Sequence, residues 1–295
     1  MKKLLIIPLF LFGLAIIAPA QDRPLRVIAI GAHPDDCDSK FGGTAALFAE
    51  MGHQVKFLAL TSGDAGHQSQ GGGALASRRR AEAKEAGKRL GIAEYETLDN
   101  HDAELLPTLQ VRHQVIRKIR EWNADIVLGL RPNDYHPDHR NAGKLVQDAA
   151  YMVIVPNVTP DTPPLEKNPV FLYMQDRFKR PYPFIPYITV AIDKVIEKKI
   201  SALDAHESQM YEWGPWTNNR SQDQVPKGKE ERRAWLAERV KNRSGNISDD
   251  RVASLVKWYG DKGKSVKYTE AFEIAEYGHQ PSDEEIRKLF PMLGN

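Results

Sequence analysis

Arg26-Val-Ile-Ala-Ile-Gly-Ala32 runs directly into His33-Pro34-Asp35-Asp36. An apolar run of strand length with no polar alternation is the pattern of a strand buried on both faces, as the interior of a parallel sheet requires. Further β-rich runs follow at 55–60, 94–98 and 125–130, and helical stretches at 41–51, 75–91 and 109–122 separate them. Leu90-Gly91 gives the second helix an apolar ending and a C-cap. This alternation predicts an α/β protein, a mostly parallel sheet flanked by helices. Right-handed crossovers put the loops that follow the strands on one edge, where open α/β sheets bind ligands.

Beyond residue 150 the rhythm weakens. Pro156, Pro160, Pro163 and Pro164 mark a loop over 156–169, ahead of strand candidates at 170–174 and 187–192. Asp193 is placed to N-cap a helix reaching about Gln209, and 217–250 reads as an exposed helix flanked by loops. One catalytic domain over 21–210, with an α-rich C-terminal extension over 211–295 packed on it, fits this pattern.

Lys2 and Lys3, the apolar run Leu4–Ile17 and Ala18-Pro19-Ala20 form the pattern of a cleavable secretory signal over residues 1–20. The rival reading is a retained anchor, but the run is shorter than the roughly 20 residues a span needs, and Pro8 interrupts it. The expectation is an exported protein, periplasmic or extracellular, with no stable membrane span after signal cleavage. The 41 Lys+Arg and 39 Asp+Glu nearly balance, which argues against nucleic acid as a partner. Cys37 is the single cysteine, so no internal disulfide supports the fold. The sequence leaves the oligomeric state open.

A second chemistry-bearing cluster, Asp134-Tyr-His-Pro-Asp-His139, also follows an apolar run. His33 and Asp36 at the first strand end can face one point, and His139 completes a set of two imidazoles and one carboxylate. Such a set suits catalytic Zn²⁺, where three protein ligands leave a position for water. Asp35, beside Asp36 but pointing elsewhere, is the candidate general base. His136 is a candidate for stabilising an oxyanion or protonating a leaving amine, and Asp138 for orienting an imidazole.

At these residues the chain resembles the PIG-L, or LmbE-like, family of zinc-dependent deacetylases. The resemblance rests on Ala32-His-Pro-Asp-Asp-Cys37 and His136-Pro-Asp-His139. It extends through Thr61-Ser-Gly-Asp-Ala-Gly66, Arg79-Arg-Ala-Glu82, Leu98 to Asp102, and His206-Glu-Ser-Gln209. It implies a Rossmann-like fold, a single zinc held by His33, Asp36 and His139, Asp35 as base and His136 as electrostatic partner of the tetrahedral intermediate. It also implies removal of an N-acetyl group from a glucosamine-containing substrate, with Arg79 and Asp102 on sugar hydroxyls. The chain departs from the family at Cys37, where a Glu is usual, and a small buried packing residue is the expected role there.

Two other functions share these features. Two histidines and one carboxylate also form the facial triad of non-haem iron oxygenases. A non-catalytic carbohydrate-binding α/β module would use the clusters only to shape a pocket. Dinucleotide binding lacks its phosphate loop, since no G-x-G-x-x-G follows the first strand. Tyr211, Trp213 and Trp216 are either a sugar platform or loop anchors.

Overall fold

In the computed structural model, which describes residues 23–218 and 222–294, the opening apolar stretch is β1 (Arg26–Gly31), buried from Val27 onward. Burial on both faces follows from its place inside the sheet. It pairs in parallel with β2 (Gln54–Thr61) on one side and β4 (Ile126–Gly129) on the other. β3 (Glu94–Asn100) lies outside β2, and its polar sequence suits a half-exposed edge. β5 (Val170–Met174) continues the parallel sheet beyond β4. The proposed signal, residues 1–20, lies outside the described residues, and no described helix is long and apolar enough to cross a membrane.

The connecting helices are α1 (Asp36–Glu50), α2 (Gly72–Leu90), α3 (Leu109–Trp122) and α4 (Pro137–Met152). Local chemistry sets their ends. Thr108 caps α3 by accepting from Val111 N, Gly91 ends α2 in the left-handed conformation, and Pro137 opens α4 after His136. α1 begins at Asp36, five residues before the helix expected from the sequence. Asp36, Asp38 and Ser39 are weak mid-helix residues, but acids are favoured in a first turn, where free N–H groups and the helix dipole meet them.

The strand order is β3-β2-β1-β4-β5-β7-β6. The chain therefore reverses its direction of winding between β1 and β4. A crevice opens at such a switch point beyond the carboxyl ends of the two strands.

The C-terminal region differs from the sequence expectation in three ways. After β6 (Ile188–Ala191), Asp193 makes no side-chain cap at the start of the next helical turn. Its carboxylate instead accepts from Lys267 N and Tyr268 N at 3.0 and 3.3 Å. α5 (Ile196–Ala205) breaks at His206 into a π-helical turn, Ser208–Trp213, and the short α6 (Gly214–Thr217). α7 (Lys229–Gly245) and α8 (Asp249–Tyr259) follow. β7 (Thr269–Gly278) then inserts antiparallel between β5 and β6, before α9 (Asp283–Leu289) ends the fold.

The C-terminal segment thus supplies a strand of the sheet as well as helices packed against it. Glu270 and Glu273 hid β7 from a pattern reading because buried carboxylates are rare in strands. Each has its donors. Glu270 accepts from Gly43 N at 2.9 Å, Thr44 N at 2.7 Å and Lys199 Nζ at 2.8 Å. Glu273 accepts from Tyr182 OH and Ile185 N.

Glu270 consequently ties β7 to α1 and α5. Glu270→Ala leaves the Lys199 cation buried without its partner and is expected to lower unfolding free energy by roughly 3–5 kcal/mol. A fall in urea midpoint at unchanged m-value checks this. The Glu270→Leu/Lys199→Met pair is expected to recover much of the loss.

Candidate metal centre

β1 ends at Gly31, where any Cβ would lie 2.7 Å from Asp36 Cβ. That close approach lets the Asp36 carboxylate fold back on the strand end. Its Oδ2 accepts from Ala32 N and His33 N, both at 2.9 Å, and its Oδ1 lies 3.3 Å from His139 Nε2. His139 enters from the first turn of α4, across the switch point. His33 Nδ1 is 3.1 Å from His139 Nε2 and 3.8 Å from Asp36 Oδ2. His33, Asp36 and His139 are therefore brought together, and all three are buried.

The far nitrogen of each imidazole meets a carboxylate. His139 Nδ1 is 3.0 Å from Asp134 Oδ1. His33 Nε2 is 2.9 Å from Asp102 Oδ1, off the line of an ideal hydrogen bond, and 3.4 Å from Asp138 Oδ2. Carboxylates there hold the ring protons on the far side and turn the lone pairs of His33 Nδ1 and His139 Nε2 toward each other. The two imidazole donors lie 3.1 Å apart, close to the roughly 3.4 Å between two ligands of a tetrahedral zinc, and Asp36 offers Oδ1 toward His139 at 3.3 Å and Oδ2 toward His33 at 3.8 Å. His136 also brings a ring nitrogen within 4.8 Å of both histidines. Its Nδ1, however, accepts the Asp138 N–H at 3.2 Å, which leaves Asp36 the better third ligand.

Neighbouring charges set the protonation of the cluster. Burial opposes the His33 cation, yet Asp102, Asp138 and Asp36 outweigh it and hold the imidazole up to about 10. Burial likewise opposes charge on Asp36 and Asp102. The imidazoles of His139 and His33 pull Asp36 down to about 2, and His33 and Arg79 do the same for Asp102. His136 goes the other way: burial, then the neighbouring His33 and His139, lower its basicity. With Nδ1 accepting from the backbone, a neutral His136 carries its proton on Nε2.

Asp35 sits one residue before the helix and makes no cap. Its Oδ1 accepts from Arg79 Nη2 at 3.0 Å, so it points away from Asp36. Arg79 and Asp102 are 2% and 6% exposed, and both face the interior of the cluster. Cys37 is buried in the core, and burial followed by the Asp36 and Asp38 charges pushes its thiol well up, which suits packing and not thiolate ligation.

Several partners escaped the sequence reading. Asp134 stood in the quoted motif without a role. Asp64 accepts from Asp102 N at 2.9 Å and lies 2.7 Å from His101 Nδ1, so it shapes the 101–102 turn. His67, with no sequence partner, meets Glu212 at 2.7 Å. His206 is fully buried 3.1 Å from Asp38, and Gln209 donates to Gly66 O, so neither touches the metal cluster. Tyr211 is buried and donates to Asp204. Trp213 and Trp216 stack at 5.0 Å, with Trp216 exposed.

Residues 28–150 match the family PIG-L, GlcNAc-PI de-N-acetylase. The diacetylchitobiose deacetylase of Thermococcus kodakarensis is 34% identical over 198 residues, covering 65% of this chain and 73% of that relative. The chain belongs to the PIG-L family. A probable N-acetyl-alpha-D-glucosaminyl L-malate deacetylase 2 of Bacillus anthracis is 27% identical over 196 residues, 62% of this chain and 81% of that one. Among solved structures, the N,N'-diacetylchitobiose deacetylase of Pyrococcus horikoshii superposes with a TM-score of 0.63 at 24% identity, over 84% of this chain and 83% of that one. GalB of Pseudomonas putida KT2440, a 4-carboxy-2-hydroxymuconate hydratase, reaches 0.65 at 19% identity, over 88% and 99%. These structures share the α/β fold, and the hydratase among them means that the fold alone does not select the reaction.

Asp138 accepts from Ala103 N and Leu105 N while facing His33. Asp138→Ala is expected to weaken metal affinity about 10- to 100-fold, measured by chelator competition on protein with an unchanged circular dichroism spectrum. Unchanged affinity would detach Asp138 from the ligand it faces.

Proposed function

We propose that this protein is a zinc-dependent N-deacetylase acting on an N-acetylglucosamine-type substrate. The observation that carries the reading is the meeting of His33 Nδ1 and His139 Nε2 at 3.1 Å with Asp36 against both, through Oδ2 at 3.8 Å and Oδ1 at 3.3 Å, while the neighbouring Asp35 is a separate carboxylate paired with Arg79. The 34% identity to a protein named diacetylchitobiose deacetylase supports the substrate class. Zinc bound here would supply an activated water and polarise the amide carbonyl.

Asp35 takes the proton of the attacking water, since it belongs to neither the ligand set nor the carboxylates behind it. His136, half-buried with its Nδ1 occupied by Asp138 N, directs Nε2–H at the oxygen on which charge develops; a neutral donor does this without burying a further cation. The proton held by Asp35 then passes to the departing amine as the C–N bond breaks. Asp102 and Asp134 keep the two imidazoles in the tautomer that faces the metal. A separate base beside the ligands favours hydrolysis over an iron oxygenase, where it has no task.

The segment 1–20 supports export to the periplasm or beyond, and residues 21–210 are the proposed catalytic unit, completed by β7 from the 211–295 extension. Acetate release from N-acetylated amino sugars, with zinc and with chelator, tests the activity. Asp35→Ala is expected to retain zinc and lose about 10²- to 10⁴-fold in turnover, whereas His139→Ala is expected to lose the metal. Full turnover by Asp35→Ala would overturn the mechanism.

A further inference from the structure

We propose that Trp216, backed by Trp213, is a stacking platform for a sugar ring beyond the one deacetylated, so that the substrate is an oligosaccharide of N-acetylated amino sugars. The proposal rests on the deacetylase reading above and extends it to the length of the substrate.

The five tryptophans differ in their surroundings. Trp122 and Trp258 are buried and Trp235 is partly buried, and each has a cation over its ring. Trp216 is 51% exposed, and its ring partner is Trp213. The two rings stack with centroids 5.0 Å apart and planes 14° from parallel. Trp213 thus covers one face of Trp216 and holds the ring, while the opposite face stays open. A ring already fixed in place loses little freedom when a ligand lies on it.

The register of the chain against α2 sets where the pair sits. Ser201 O and Asp204 accept from Arg89, Ser208 donates to Glu82, and Glu212 accepts from Arg78 through both carboxylate oxygens. Each step forward along 201–212 is therefore matched by an equal step back along α2. The chain stays helical over 207–217, and the same register brings Trp216 level with Ala74, in the first turn of α2. That turn follows the loop after β2, on the edge of the sheet that carries the metal cluster.

The segment is also joined to that loop directly. Glu212 Oε2 lies 2.7 Å from His67 Nε2, and Gln209 Nε2 donates to Gly66 O at 3.0 Å. A Cβ at Gly66 would lie 3.0 Å from Asp102 Oδ2, and Asp102 faces His33. A short chain of contacts therefore fixes the platform to the rim of the metal site. Its wide π-helical turn, Ser208–Trp213, is of a kind that recurs at functional sites. A flat exposed ring suits a pyranose, whose C–H face is apolar while its hydroxyls remain in water. An acyl chain would need an enclosed groove instead.

The test measures acetate release from N-acetylglucosamine, diacetylchitobiose and tetraacetylchitotetraose by zinc-loaded full-length wild type, Trp216→Ala and Trp216→Phe, with sedimentation velocity of each protein. In wild type kcat/KM is expected to rise about 3- to 10-fold from the shorter sugars to the tetramer. Trp216→Ala is expected to bring that ratio to about one by raising KM for the tetramer, and Trp216→Phe to restore most of it. Tetramer binding to zinc-loaded Asp35→Ala, followed by tryptophan fluorescence, is expected to weaken by the same factor when Trp216→Ala is added. A ratio kept in full by Trp216→Ala, or no rise with length in wild type, overturns the platform and leaves the deacetylase reading standing. A smaller sedimentation coefficient for Trp216→Ala with the length dependence intact overturns it in favour of a contact between copies of the chain. No acetate from any of the sugars, with the tetramer still bound through Trp216, overturns the reaction and keeps the platform.

Discussion

The rest of the site depends on one electrostatic constraint: carboxylates crowd the gap between β1 and β4 and must be compensated. Asp36, Asp102 and Asp138 contact His33, Asp134 contacts His139, and Asp35 contacts Arg79. Burying so many anions beside two imidazoles and one guanidinium is unfavourable unless further positive charge is bound. Asp102, Asp138 and Asp36 raise the His33 imidazole to about 10, and the proposed divalent cation would supply positive charge among the same donors.

Seen this way, the second layer has a clear division of labour. Asp134 and Asp102 face the imidazoles of His139 and His33, Asp138 holds the 103–105 backbone as well, and Arg79 holds Asp35, the base of the proposed reaction. The loops that do this come from β1, β2, β3 and β4. They meet only because the strand order puts their carboxyl ends on one edge. Fold neighbours include a hydratase, so the reaction is read from these side chains and from the 34% identical deacetylase, not from the sheet.

Much of this was legible in the sequence, and the remainder failed for identifiable reasons. β1, β4 and α3 announced themselves because burial on both faces and a capped amphipathic repeat leave local patterns. The meeting of His33, Asp36 and His139 on one edge of the sheet was legible because both motifs are short and each follows a strand. α1 was placed too late because Asp36 to Ser39 carry little helix propensity and owe their place to the strand-end turn. β7 was missed because Glu270 and Glu273 find their donors on α1, α5 and the 182–185 loop, partners far off in the chain. Asp193 looked like a helix cap and instead holds the entry to β7. The inward turn of Arg79, buried between two partly exposed arginines, sets its guanidinium close against Gly63 and Gly66, and no helical periodicity records that.

The most direct test of the central claim is X-ray absorption at the zinc edge on protein purified with zinc. The account predicts a single zinc with imidazole nitrogen and carboxylate oxygen donors at about 2.0–2.1 Å and no sulfur shell near about 2.3 Å. A sulfur shell, which only Cys37 or a methionine can supply, or protein that binds no zinc, would contradict it.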